Sequence, residues 1–155
     1  EVTMVRFVLA LGVVALLGGC LPFAMFASSG DAYRGYKQNW GTYVASASVD
    51  TFCLTPKLRV VIAEFEGHFG RKVVVSSGYR DPEHNSRVGG ADASYHMKCM
   101  AADFFIPGVD KRKLVAYAAR LRSVGGLGCY SGRSFIHVDV RDRPAGWNKP
   151  VIFNC

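Results

Sequence analysis

Residues 135–141 read FIHVDVR, and this stretch decides the fold. Apolar and polar side chains alternate along it, which predicts a β-strand with one buried face. Positions 136, 138 and 140 would face the core, and His137, Asp139 and Arg141 would share the opposite face with Phe135. A histidine and an aspartate side by side over a hydrophobic core suit a metal ligand and its orienting partner, although a plain surface strand shows the same alternation.

A second strand is predicted at residues 101–106, which read AADFFI. Asp103 is a lone carboxylate in this apolar run and needs a partner to compensate its charge. His96 precedes it by seven residues, beyond a glycine-rich loop, and could fold back towards it. With His137 they would provide two imidazoles and a carboxylate, the ligands of a catalytic zinc whose fourth position is left to water. A simple ion pair between Asp103 and Arg80 is the alternative.

Capping residues predict three helices, which begin at Thr55–Pro56, Asp81–Pro82 and Asp110 and end at Gly70, near Val88 and at Gly125–Gly126. Short apolar runs predict the strands, which are 72–76, 101–106, 127–130 and 135–141. Together these elements predict the α+β class, with about three helices around a small, largely antiparallel sheet.

The beginning of the chain has the pattern of an export signal. Residues 7–17 (FVLALGVVALL) are apolar, Arg6 precedes them, and no further charge occurs before Asp31. A positive residue followed by a short apolar stretch and small residues is typical of a secretory signal rather than of part of a fold. The protein is therefore predicted to be exported.

Three fates are open for this leader. Ordinary cleavage after residues 24–27 (AMFA), lipidation of Cys20 within LGGC, and an uncleaved anchor over residues 7–27 are all compatible with it. The 155 residues suit one domain behind such a leader. The predicted organisation is a signal peptide or lipoprotein leader at 1–27, a linker that docks onto the domain at 28–52, and the domain itself at 53–155.

Export also decides how the cysteines are interpreted. Four remain besides Cys20, an even number that predicts two disulfides in an oxidising compartment. All three pairings are open, and we prefer Cys53–Cys155, which ties the start of the domain to its tail, with Cys99–Cys129. A zinc site built from these four thiolates is disfavoured, because they are widely scattered and form no CxxC pair.

Composition excludes several classes of protein. Charged residues make up 20% of the chain and no long repeat is present, which argues against a coiled coil or wholesale disorder. The net charge is +7, but the basic residues form no run and no stripe interleaved with aromatic residues. We therefore predict no nucleic-acid partner, and anionic envelope polymers or lipid headgroups are the better match for the positive charge.

Four segments occur in a recognisable order, namely SGYR at 77–80, SYHMKCMAAD at 94–103, GGLGCY at 125–130 and HVDV at 137–140. They resemble the zinc D-alanyl-D-alanine carboxypeptidase family, especially its periplasmic murein-endopeptidase-like branch. Wider relatives are the lysostaphin-type peptidases and the hedgehog signalling domain. The resemblance covers residues 72–147 and implies a zinc ion bound by His96, Asp103 and His137 on a small antiparallel sheet.

The resemblance also implies roles for two charged residues. Arg80 is similar to an arginine that binds the substrate or the oxyanion, with an ion pair to Asp81 or Asp103 as the structural alternative. Asp139 matches the carboxylate of the His-x-Asp pair, which either orients the ligand histidine or acts as the general base. Many relatives carry a glutamate or aspartate three residues before the last zinc histidine, where this chain has Ser134.

Three further residues depart from the resemblance or remain outside it. Cys99 occupies a position where relatives commonly have glycine; a free thiol there would compete for zinc, whereas a disulfide would brace the loop. His68 and His84 are interpreted as structural.

The predicted function is a zinc-dependent hydrolase of peptidoglycan stem peptides, either a D,D-carboxypeptidase or a D,D-endopeptidase, in the periplasm or cell envelope. The first alternative is a catalytically inactive, zinc-bearing protein that binds peptidoglycan, as the hedgehog precedent and Ser134 allow. A metal-free structural lipoprotein is the second. The expected partners are stem peptides and, through Cys20 or an uncleaved leader, the membrane.

Overall fold

The structure is a computed structural model that describes residues 31–155, and the unit Gly35–Cys155 contains the fold. The leader predicted over 1–27, with Cys20, and the first residues of the 28–52 segment lie outside the described residues. Within the described part of the chain, no helix is both long and apolar enough to cross a bilayer.

Seven short strands form one sheet, and they are β1 (Lys37–Asn39), β2 (Thr42–Val44), β3 (Val74–Ser77), β4 (Ala101–Phe105), β5 (Gly126–Gly128), β6 (Ile136–Asp139) and β7 (Val151–Phe153). Their order across the sheet is β1-β2-β3-β4-β6-β5-β7. The central pairs β3–β4, β4–β6 and β6–β5 are antiparallel, as is β1–β2 at one edge.

Three helices accompany the sheet, namely α1 (Pro56–Phe69), α2 (Pro82–Arg87) and α3 (Lys111–Ala118). The predicted capping residues start them: the side chains of Thr55, Asp81 and Asp110 each accept a hydrogen bond from a backbone N–H of the first turn. The predicted α+β class is thus confirmed. The third helix is shorter than predicted, because the chain turns after Ala118 and Arg143 binds the carbonyl groups of Leu121 and Val124 in that turn.

The sheet is largely antiparallel, as predicted, with four of its six strand pairs antiparallel, but it is mixed because two pairs are parallel. β2 pairs with β3 in parallel, and β7 pairs with β5 in parallel. Neither β2 nor β7 was predicted as a strand, since three residues are too few to display an alternation of apolar and polar side chains. β1 and β2 lie within residues 28–52, the segment expected to dock onto the domain.

The hydrophobic core lies between one face of the sheet and helices α1 and α3. Ala102, Phe104 and Val138 contribute to it from the strands and are fully buried, as are Phe65 of α1 and Leu114 of α3. The rings of Phe65 and Phe104 meet edge to face, with their centroids 4.9 Å apart. Because successive side chains of a strand alternate, the residues between these core positions must lie on the other face.

Two disulfides are present, as predicted, but the preferred pairing was wrong. The bonds are Cys53–Cys99 and Cys129–Cys155, with Cα–Cα distances of 5.6 and 4.7 Å. The parallel pairing of β5 with β7 brings Cys129 beside Cys155. This contact depends on a strand that the sequence did not predict, so the spacing of the cysteines could not reveal it.

Candidate active site

The site lies on the face of the sheet opposite helices α1 and α3. Asp103 of β4 and His137 of β6 are directly opposite each other across an antiparallel pair, so their side chains share this face. His96 comes from a one-turn 3₁₀ helix, Tyr95–Lys98, that precedes β4. All three residues are buried, with 2–5% of their surface exposed.

Three donor atoms meet at one point. The Oδ1 atom of Asp103 lies 2.8 Å from Nδ1 of His137 and 3.2 Å from Nε2 of His96, and the two imidazole nitrogens are 3.1 Å apart. Among the described residues these three form a group that could hold a metal ion. The ligands of a tetrahedral zinc with bonds of about 2.0 Å are separated by about 3.3 Å, so the cluster has the right size.

The outer nitrogen of each histidine fixes its tautomer. Nδ1 of His96 donates to the carbonyl oxygen of Gly78 over 2.7 Å, since a carbonyl can only accept. Nε2 of His137 donates to Oδ2 of Asp139 over 3.2 Å. In neutral imidazoles the inner nitrogens then carry lone pairs, which face each other and a carboxylate oxygen. Three atoms whose lone pairs converge in this way need a cation between them. The chemistry of these three atoms alone therefore fits a metal site.

The directions in which the pKa values of Asp103 and His137 are shifted indicate that the cluster favours a positive charge. Burial by itself raises the pKa of a carboxyl group, but when an inner nitrogen of His137 or His96 also carries a proton, its hydrogen bond and positive charge hold the pKa of Asp103 well below its usual range. Burial opposes protonation of His137, yet the carboxylates of Asp103 and Asp139 on either side raise the pKa of its imidazole. The surroundings thus favour a cation here, whether a proton or a metal ion.

Asp139 is fully buried, and both of its oxygens are occupied. Oδ1 accepts hydrogen bonds from the backbone N–H and the Nε of Arg141, and Oδ2 accepts from Nη2 of Arg141 as well as from His137. Burial raises the pKa of this carboxyl group, but these hydrogen bonds outweigh it and lower the pKa to about 2. The guanidinium of Arg141 also lies over the ring of Tyr95, 4.2 Å from its centroid, and so connects β6 to the His96 loop.

Arg80 lies on the opposite side of Asp103. Its Nη2 donates to Oδ2 of Asp103 over 2.7 Å, and its Nε donates to the hydroxyl of Ser77. The side chains of both ion-pair partners are largely buried. The structural alternative considered for Arg80 is therefore present, with Asp103 rather than Asp81 as the partner, and it leaves Nη1 without a hydrogen bond to any described residue.

Aromatic rings border the site on the β5 side. Tyr130 and Phe153 both lie near His137, with ring centroids 6.5 and 5.3 Å from the imidazole. Ser134 is exposed in the turn before β6. The remaining histidines lie elsewhere: His68 stacks on Tyr117 at 3.9 Å in the helical layer, and His84 is exposed on α2.

Two glycines of the GGLGCY segment are part of the site, although the sequence indicated no role for them. Gly126 and Gly128 lie opposite Asp139 and His137 across the β5–β6 pair. A Cβ on Gly128 would come within 3.1 Å of the aromatic rings of Tyr130 and Phe153 and of the Cβ of His137. The signal that could have identified them is the period of two, which places both glycines on the face that carries the side chains of His137 and Asp139.

Gly126→Ala tests this close approach. A methyl group there would lie 2.2 Å from Oδ2 of Asp139 and 2.8 Å from Nε of Arg141, so we expect a loss of about 1–3 kcal/mol in the free energy of unfolding, measured by urea denaturation. Gly67→Ala in α1 is the matched control, because nothing lies within 4 Å of its added Cβ and alanine favours a helix. Equal stability of the two variants would contradict the assignment.

Comparison with known proteins identifies one family and several curated relatives. The family model described as peptidase M15 matches residues 32–139. The probable peptidoglycan L,D-endopeptidase MepK of Haemophilus influenzae is 41% identical over 74 residues, which cover 44% of this chain and 39% of the relative. The peptidoglycan L,D-endopeptidase MepK of Escherichia coli K12 is 32% identical over 94 residues, which cover 56% and 51%. No solved structure matches the chain.

The chain thus spans between 39% and 51% of the length of these curated relatives. The family model covers a larger part of this chain than either relative does. It runs from before β1 to the end of β6 and includes all three residues of the buried cluster. It confirms the resemblance visible in the four sequence segments: the chain belongs to the peptidase M15 family.

Proposed function

We propose that this protein is a zinc-dependent peptidase that hydrolyses the peptides of peptidoglycan. One observation carries the proposal: two imidazole nitrogens and a carboxylate oxygen converge within 3.2 Å, and both histidines are held with their lone pairs towards the common centre. Membership of the peptidase M15 family supports a hydrolytic role for this cluster.

The metal ligands in this proposal are Nε2 of His96, Oδ1 of Asp103 and Nδ1 of His137. When bound, zinc would supply Lewis-acid activation of a water molecule and of the scissile carbonyl group. The carbonyl of Gly78 and the carboxylate of Asp139 hold the two imidazoles in the tautomers that ligation requires. The helical face of the sheet excludes water from behind the cluster, so the substrate must approach from the other side.

Arg80 and Asp139 have different roles in this proposal. Arg80 orients Asp103 through Nη2 and retains Nη1 for a substrate oxygen, either a carboxylate of the stem peptide or the developing oxyanion. Both oxygens of Asp139 already accept hydrogen bonds from Arg141 or His137, so we assign it the positioning of His137 rather than the role of general base.

The bond cleaved is proposed from the relatives. Both MepK proteins carry the description peptidoglycan L,D-endopeptidase, and we extend that specificity to this chain in preference to the D,D-cleavage expected from the sequence. Both activities act on stem peptides, so the metal site and the substrate class are the same for either bond.

An inactive, zinc-bearing protein that binds peptidoglycan is a second candidate. Two observations favour it: Ser134 occupies the position of the carboxylate found in many relatives, and the nearby carboxylate of Asp139 is fully engaged. Neither residue is then a ready proton acceptor for an attacking water molecule.

The proposed location is the cell envelope outside the cytoplasm. Two disulfides fit an oxidising compartment, and peptidoglycan is reached there. We retain the leader at residues 1–27 as part of this proposal, with lipidation of Cys20 as one route to the membrane.

The deciding experiment is incubation of the zinc-loaded protein with purified sacculi, followed by mass spectrometry of the released muropeptides. We expect soluble products cut at an L,D bond, loss of all product after metal removal by a chelator, and recovery on addition of zinc. His137→Ala should release nothing, whereas His84→Ala, a histidine variant on exposed α2, should behave as the wild type.

Three other outcomes would each change one part of the proposal. Products cut at a D,D bond would retain the peptidase and overturn the L,D specificity. Zinc bound at one ion per chain with sacculus binding but no product would support the inactive candidate. Product formation that survives complete removal of the metal would overturn the zinc proposal.

A further inference from the structure

The loop that carries His96 ends in a backbone conformation that is unfavourable for its residue type. Its 3₁₀ helix ends at Cys99, three residues after His96, in the left-handed region with φ = 58°. Glycine is the residue usually found in this conformation, because a Cβ is unfavourable there. A cysteine at this position therefore needs a compensating interaction, and the disulfide to Cys53 provides one.

The segment around Cys53 contacts both sides of the His96 environment. The N–H of Thr55 donates to the carbonyl of Cys99 over 3.0 Å, and the N–H of Tyr79 donates to the carbonyl of Asp50 over 2.8 Å. Gly78 packs so closely on this segment that a Cβ would lie 2.0 Å from the Asp50 oxygen. Since Gly78 is the residue whose carbonyl accepts from His96, one segment, residues 50–55, positions both the loop and the acceptor.

We propose that the Cys53–Cys99 disulfide is a positioning element of the metal site: it holds the His96 loop at the distance from Asp103 and His137 that ligation requires. The inference rests on the metal ligation proposed above. Among the described residues, this disulfide is the only covalent crosslink between the His96 loop and residues 50–55. Breaking it removes that crosslink. The imidazole of His96 then samples more positions, and the metal loses a preorganised ligand.

The second disulfide is the natural control. Cys129–Cys155 joins the ends of β5 and β7, two strands that already pair through backbone hydrogen bonds, including one from the N–H of Cys129 to the carbonyl of Phe153. It therefore duplicates an existing connection, and neither of its cysteines belongs to the His96 loop. Its loss should reduce the stability of the fold without selectively displacing a ligand.

The test measures zinc affinity by competition with a chromophoric chelator in wild type, Cys53→Ala/Cys99→Gly and Cys129→Ala/Cys155→Ala. Glycine at 99 retains the left-handed backbone, and removing both thiols prevents them from binding the metal. We expect zinc affinity to fall 10–100-fold in the first variant, the range found when a partner that orients a ligand is removed, and to stay unchanged in the second. The d–d absorption of the cobalt(II) form should change in the first variant only.

Three further experiments control for misfolding and for changes in backbone freedom at residue 99. Circular dichroism verifies folding, and Cys53→Ala/Cys99→Asn, which also tolerates the left-handed region, should show the same weakening. In Cys129→Ala/Cys155→Ala, reduction and alkylation of the remaining disulfide should reproduce the effect within one protein, which covers the case of a variant that does not fold.

The possible outcomes separate the two proposals. Wild-type affinity in the Cys53→Ala/Cys99→Gly variant, or equal losses in both disulfide variants, overturns the positioning role and leaves the metal site intact. A loss of zinc affinity in Cys53→Ala/Cys99→Gly but not in Cys53→Ala/Cys99→Asn also overturns the positioning role. The freedom of the glycine backbone, rather than the missing disulfide, would then be responsible. Absence of zinc binding by the wild type overturns the metal site and this inference together.

Discussion

Asp103→Asn is expected to abolish stoichiometric zinc binding and peptidoglycan cleavage. The carboxylate joins three partners, with Oδ2 on Arg80 and Oδ1 between His96 and His137. An asparagine must turn its carbonyl oxygen towards the guanidinium of Arg80, which can only donate. Its NH₂ group would then face the imidazole lone pairs, where it donates hydrogen bonds and occupies the place of the metal.

The effect of Asp103→Asn should exceed the 10–100-fold loss of metal affinity typical for a residue that only orients a ligand. Zinc content after dialysis, together with muropeptide release, measures it. Asp81→Asn is the matched control, because asparagine caps a helix as well as aspartate does and Asp81 caps α2 outside the buried cluster. One zinc ion per chain in the Asp103→Asn protein would remove Asp103 from the ligand set.

Asp139→Asn is expected to weaken zinc binding 10–100-fold and to lower the free energy of unfolding by about 3 kcal/mol. Every hydrogen-bonding partner of this carboxylate is a donor, from His137 and from Arg141, so the NH₂ group of asparagine must face another donor. The His137 tautomer is then no longer enforced, and the guanidinium of Arg141 loses its buried counter-charge.

This variant separates the two roles considered for Asp139. A positioning residue changes zinc affinity, which competition with a chelator measures, whereas a general base changes the rate of hydrolysis at unaltered zinc affinity. Asp142→Asn is the control, since Asp142 is fully exposed and its nearest cation, Lys57, is 3.5 Å away. Full zinc affinity with lost hydrolysis in Asp139→Asn would restore the general base.

The stability difference between wild type and Asp139→Asn should also depend on pH. The pKa of Asp139 is lowered in the folded protein to about 2, below the value of 3.8 for a free side chain. A carboxylate with a depressed pKa contributes stability above its unfolded pKa and loses it as the pH falls through the folded pKa. In urea denaturation, the difference in free energy of unfolding between wild type and Asp139→Asn should therefore become smaller as the pH falls from about 4 towards 2.

The sequence predicted the elements that have a clear local signature. The alternation in FIHVDVR identified β6, the capping residues identified the starts of all three helices, and an isolated aspartate in an apolar run identified Asp103 as a residue in need of a partner. These signals succeed because side-chain period and helix capping depend on residues close together in the chain. The short strands β2 and β7 lack such a signature, and with them the mixed character of the sheet was missed.

What the sequence determined by itself was therefore the α+β class, the family, and a set of candidate site residues, His96, Asp103 and His137 with Asp139 and Arg80. The tertiary structure alone decided their arrangement: the register that sets Asp103 opposite His137, the carbonyl that orients His96, and the pairing of the cysteines. A shift of one residue between β4 and β6 would turn one of these two side chains to the core face. Register, long-range hydrogen bonds and disulfides join residues distant in the chain, so they become defined only when the sheet is assembled.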